Sequence, residues 1–194
     1  MPKRNLLDQF SAQITILGSF VTLMWGLEII DAVIFRNRNK LDEFGIRPRS
    51  LSGLAGILLS PFLHGGFRHL IANTVPFITL GWLVMLRRIQ DFWEVTIVTL
   101  IISGLGVWLL GAPNSIHLGA SGLVFGYFGF LLTRGYFDRR IDSIALGILV
   151  LALYGGLIWG IAPWQRGVSW EGHLFGLLGG GLAAWLLAED NNPH

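Results

Sequence analysis

Gly119-Ala120-Ser121-Gly122 opens an apolar run, Leu123-Val124-Phe125-Gly126-Tyr127-Phe128-Gly129-Phe130-Leu131-Leu132, and the reading of that run decides the fold. It carries no charge until Arg134 and is hydrophobic on every side, which places it among lipid and other helices rather than in water. A helix from Ser121 to Arg134 rises roughly 20 Å at ~1.5 Å per residue, against a hydrocarbon core of ~30 Å. Anchored at one surface by Arg134, Arg139 and Arg140, it starts well below the other, so Ser121 is expected inside the membrane. Backbone N–H groups at such a helix start lack intrahelical partners, and hydrocarbon cannot satisfy them. They can hold developing negative charge, and a hydroxyl among them is a candidate nucleophile. Taken alone, the stretch reads more simply as a tight turn with Ser121 as helix N-cap.

The rest of the composition agrees with a membrane fold. Mean hydropathy is +0.60 and only 13% of the 194 residues are charged, which indicates an all-α, polytopic membrane protein. The alternating short strands of a β-barrel are missing from the pattern. The chain has no Cys, which excludes disulfides and thiolate metal sites, and its net charge of +2 gives no footprint for nucleic acid. Its 26 Gly suit close helix packing in lipid, where small residues let backbones approach. The first apolar stretch is long and lacks an Ala-x-Ala cleavage site, so it is expected to remain as an anchor.

Six spans are expected in one domain covering residues 1–194: 14–35, 69–86, 92–110, 121–133, 143–161 and 171–187. Glu28 and Asp31 interrupt the first near its far end and are read as structural, facing an interface or a partner helix. Leu51 to Phe67 is too apolar for a solvated loop and too broken by Gly and Pro for a span. It reads as a structured segment in or on the bilayer, its backbone buried against protein. Trp164 and Trp170 fall in a loop as interfacial anchors. An even number of spans puts both termini on one side. The basic residues divide evenly between the two sides. The short loops favour a cytoplasmic position for the Arg87-Arg88 and Arg139-Arg140 turns, and hence cytoplasmic termini.

Several polar residues sit where chemistry can use them. His69 and Asn73 are four apart at the start of the second span and share a helix face, which Pro76 continues. His64 precedes that helix. In the last span His173, Gly176, Gly180 and Ala184 share a face; Gly122, Gly126 and Gly129 form a small-residue face on the fourth. With alternating helix directions the fourth and sixth spans run the same way, so Ser121 and His173 lie at coinciding ends and can meet. A Ser within reach of a His is a minimal activated nucleophile, and the Ser121 N–H with His69 and Asn73 can stabilise an oxyanion. His117 is a rival base, but it lies in a turn with no packing face to fix it and is ranked as a loop residue. Position 123 is Leu, which excludes the Gly-x-Ser-x-Gly elbow, and His-Glu-x-x-His is absent, so no metal site is expected.

The set His64, His69, Asn73, Gly119-x-Ser121-Gly122 and His173-x-x-Gly176 resembles the rhomboid family of intramembrane serine proteases, from about Gly45 to Ala188. The resemblance implies a six-helix bundle with a first loop inserted sideways in the membrane. It implies a Ser121–His173 dyad, with His69, Asn73 and the Ser121 N–H as oxyanion hole, and no cofactor. His64, Gly119, Gly122, Phe125 and Gly176 are supporting positions. Implied partners are single-span membrane proteins, cut in or beside a helix weakened by small or helix-breaking residues, reached laterally near the fifth helix from the lipid bilayer. The implied location is the bacterial plasma membrane. There are departures. Ala55-Gly56 stand where many members have Trp-Arg, and Gly172 precedes the His where many have Ala. Phe125 stands where some have Tyr, and it can still pack on the His173 ring. Glu171 faces away from His173 on an ideal helix, so no third carboxylate is implied. An inactive client-binding relative and a small transporter are weaker readings: the first does not need both Ser121 and His173, and the second lacks an inverted repeat.

Overall fold

The computed structural model describes residues 6–35, 40–165 and 167–189, and the fold among them is helical. Lys3, Arg4, Arg36, Arg38 and Arg166, which entered the orientation argument, lie outside the described residues, as does the tail from Asp190. Helix α1 spans Leu6–Val33, and a single turn, α2, spans Gly56–Leu59. They are followed by α3 (Phe67–Met85), α4 (Ile89–Leu110), α5 (Ser121–Asp138), α6 (Ile141–Tyr154) and α7 (Trp170–Glu189). Three segments are long and apolar enough to cross a membrane: Leu6–Val33, Ile89–Leu110 and Ile141–Ile161. The helices at the other three expected spans, α3, α5 and α7, carry Arg68, Arg134 and Glu171, and many of their residues are buried against other helices.

Helix α5 is the centre of the molecule. Leu123 to Leu131 are all buried, and Phe77, Phe92 and Tyr127 form an aromatic core around it, closed by a 2.8 Å hydrogen bond between the Tyr127 and Thr96 hydroxyls. Its partner is α7. The Gly176 Cα faces the Gly122 carbonyl and the Gly180 Cα faces the Gly126 carbonyl, both too close for any side chain. These contacts advance together along both helices, so α5 and α7 run in the same direction and their N-terminal ends coincide.

The helix expected to stop near residue 133 continues to Asp138, 18 residues in all, or roughly 27 Å at ~1.5 Å per residue. The short-helix argument for the depth of Ser121 is therefore corrected. Arg134 is no surface anchor: its side chain is buried, Nη1 pairs with Asp91 at 2.5 Å and Nε with Asp138 at 2.9 Å, so the helix passes through it. At the other boundary, α6 ends at Tyr154 and Gly155–Ile161 continues as 3-10 turns rather than as helix to Ile161. The pair Gly155-Gly156 lowers helix propensity there.

The stretch from Leu51 to Phe62 folds as short helical turns on α4. Gly104 leaves room for the Ile57 side chain, and Trp108 donates from Nε1 to the Ser50 carbonyl at 2.8 Å. The Arg49 guanidinium donates to the carbonyls of Leu109 and Gly111, which the end of α4 leaves without intrahelical partners. Asp31 accepts from the Leu41 backbone N–H at 3.1 Å, joining α1 to this loop in the structural role expected of it.

Candidate functional site

Ser121 is the first residue of α5, with Ala120 as its N-cap and no side-chain cap. The simple N-cap reading of Ser121 is thus corrected: its hydroxyl is not spent on the helix. The first intrahelical bond at this end runs from Val124 N–H to the Ala120 carbonyl, so the amides of Ser121, Gly122 and Leu123 precede it. The approach to Ser121 is pinned by a 2.8 Å bond from Gly119 N–H to the Ser60 carbonyl. Gly119 has φ +109°, and a Cβ there would lie 2.6 Å from His69 Cε1 and 2.7 Å from Nε2. Glycine is thus required twice at this position, by the backbone angle and by the imidazole against it.

His69 and Asn73 share one face of α3, as their spacing predicts, and Asn73 Nδ2 donates to the His69 carbonyl at 3.0 Å, with its second N–H in reserve. Both line a cavity of about 810 Å³ together with Ser121, Phe125 and His173. Ala72 and Pro76 line it too; Pro76 has no N–H, which leaves the Ala72 carbonyl without its helical donor. His64 is buried, its ring edge-on to His69 with centroids 5.1 Å apart. Burial, and then the neighbouring His69, lower its pKa to about 4, so it is neutral at pH 7.

His173 is held from two sides. Its ring stacks on Phe125 with centroids 4.1 Å apart and planes 7° from parallel. Its Nδ1 lies 2.8 Å from the Gly160 carbonyl. A carbonyl only accepts, so Nδ1 carries the proton and Nε2 keeps its lone pair. A Cβ on Gly160 would lie 2.8 Å from Phe125 Cζ and 3.0 Å from His173 Nδ1. Gly160 escaped sequence reasoning because it is one of many glycines and its role comes from a contact 13 residues along the chain. Ser103 was missed likewise: it donates to the Gly172 carbonyl at 2.8 Å and abuts Gly122, joining α4 to both helix starts.

One expectation is corrected here. His117 is fixed, not loose: its backbone pairs with Ile46 in an isolated bridge, and its ring nitrogens lie 2.7 Å from the Ser115 hydroxyl and 2.6 Å from that of Ser169. Burial lowers its pKa, opposed by the charge of Glu171. Glu171 is buried and is among the residues lining the same cavity, where its charge acts on His117.

The Rhomboid domain pattern matches residues 52–190 of this chain. The chain belongs to the rhomboid family. This rhomboid is 41% identical over 182 residues to the Mycobacterium tuberculosis "Uncharacterized protein Rv1337", covering 90% of this chain and 75% of that one. The Bacillus subtilis protein YdcA, whose name assigns it provisionally as a rhomboid protease, is 28% identical over 139 residues, 68% of this chain and 67% of its own. An Arabidopsis thaliana relative, RHOMBOID-like protein 4, is 31% identical over 147 residues, 71% of this rhomboid and 34% of the plant chain.

Proposed function

We propose that this rhomboid is an intramembrane serine endopeptidase that cuts single-span membrane proteins in or beside their membrane helices. The observation that carries the reading is one cavity lined by Ser121, His173, His69 and Asn73, with His173 Nδ1 committed to a carbonyl. In the proposed reaction His173 Nε2 takes the Ser121 proton as Oγ attacks the peptide carbonyl. The oxyanion is met by the Ser121 N–H, His69 and Asn73; each such donor contributes typically ~2.7–4 kcal/mol to the transition state. His173 then protonates the leaving amine, and water, activated by the same imidazole, hydrolyses the acyl-enzyme. Neither a metal nor a cofactor has a part in these steps.

The reading includes six spans with both termini in the cytoplasm of a bacterial cell. It also includes lateral access of substrate from the bilayer near α6. The test is incubation of the purified protein, in detergent or liposomes, with a generic single-span substrate beside Ser121→Ala and His173→Ala. Cleavage by wild type alone, with Ser121 labelled by a fluorophosphonate, is the expected result. Cleavage retained in Ser121→Ala overturns the mechanism, and a folded wild type that neither cleaves nor labels favours a client-binding role.

A further inference from the structure

Among the described residues lining the reaction cavity, Glu171 is the only Asp, Glu, Lys or Arg. It is 5% exposed and makes no ion pair with a described residue. Among the described residues the group its charge acts on is His117, which has both ring nitrogens against the hydroxyls of Ser115 and Ser169 and whose neutral form burial favours. A lone carboxylate lining a cavity is electrostatically complementary to a cationic side chain brought into it. The cavity, about 810 Å³, has room for a side chain, so a cationic group can arrive with a substrate.

We infer that Glu171 is a specificity residue, selecting substrates that present a Lys or Arg side chain into the cavity beside the scissile bond. The inference rests on the protease reading above and names a preference within it. A helical residue before the substrate's break point would place a basic side chain near the membrane surface, where long cationic side chains are tolerated. The purely structural alternative is that Glu171 only stabilises the start of α7.

The experiment uses the full chain in liposomes and one single-span substrate. Lys, Leu or Glu is placed in turn at each of the residues flanking the cut. Wild type is expected to show, at one flanking position, a kcat/KM for Lys about tenfold or more above that for Leu, with Glu poorest. In Glu171→Gln the Lys-to-Leu ratio is expected to fall towards one, and in Glu171→Lys the order is expected to invert in favour of Glu. A structural role instead lowers all substrates by a common factor and leaves the ratios unchanged, which overturns the inference. Should a variant fail to fold, the wild-type ratios decide alone: equal rates for Lys, Leu and Glu at every position overturn it. Cleavage of the Leu substrate by wild type and not by Ser121→Ala keeps the protease reading intact whichever way those ratios fall.

Discussion

Gly160 is the residue whose replacement separates positioning from packing. A methyl group there meets both the His173 ring and the Phe125 ring on which it stacks, so Gly160→Ala is expected to tilt the imidazole. A misplacement of about 1 Å can cost on the order of 10²-fold in rate. On the proposed protease reading, proteolysis is expected to fall by at least tenfold while the thermal midpoint in detergent stays within a few degrees; unchanged kcat/KM would show that the Gly160 carbonyl does not set the imidazole's orientation for the reaction. Asp42, in the first loop, gives a pH signature. Burial, and then the charges of Asp31 and Glu28, raise its pKa to about 6. Its folded value lies above the unfolded one, so the folded state binds the extra proton and this group makes stability fall as pH rises from about 4 through 6. Asp42→Asn is expected to raise the melting temperature at pH 7.5 and to flatten its decline between pH 5 and 7.5. An equal slope in wild type and variant removes Asp42 as the cause.

At the scale of elements, the α5–α7 contact is a backbone-to-backbone seam. Gly180 abuts the Gly126 carbonyl, Gly129 abuts the Leu177 carbonyl, and Gly126 also meets the Thr99 side chain of α4. No rotamer change relieves the contact of Gly180 with the Gly126 carbonyl, so Gly180→Leu must push α7 from α5, and Gly126→Leu meets the β-branched Thr99 side chain and pushes α5 from α4. Overpacking of this kind costs typically ~1–3 kcal/mol or more. Both variants are expected to unfold at lower temperature and to lose activity together with stability. Normal melting of Gly180→Leu would contradict the pairing of α5 with α7, and normal melting of Gly126→Leu the approach of α4. The seam was legible from the glycine spacing alone, since small residues every third or fourth position mark one helix face. The true end of α5 was not, because Arg134 reads as a boundary unless Asp91 and Asp138 are known to face it.

At the scale of the molecule, the end opposite the cavity is tied by charges from three parts of the chain. Asp138 accepts from Arg134 and, at 2.5 Å, from Arg87 just beyond α3; Asp91 at the start of α4 accepts from Arg88 and Arg134. Asp91 is fully buried, and removing its carboxylate would leave the buried Arg134 Nη1 without its partner and the guanidinium with Asp138 alone. Breaking a buried pair from one side typically costs ~3–5 kcal/mol. Asp91→Ala is expected to lower the thermal midpoint more than Glu43→Ala, whose carboxylate pairs with Lys40 at the exposed surface. Equal effects of the two would remove this network from the account of stability.

The sequence by itself determined the class of fold, the helix pair that carries Ser121 and His173, and the shared face of His69 and Asn73. Each of these depends on periodicity or on the chemistry of a local motif, which the chain displays without folding. Tertiary structure decided the rest. Gly160 reaches His173 only because α6 gives way to 3-10 turns, and His117 is fixed only because Ile46 and Ser169 come to it from opposite ends of the chain. Glu171 comes to act on His117 because the loop carrying His117 is packed against the start of α7, a neighbourhood that local spacing does not display. Helical spacing predicts which side chains share a face; which neighbour that face meets depends on contacts between distant segments, and those exist only in the packed bundle.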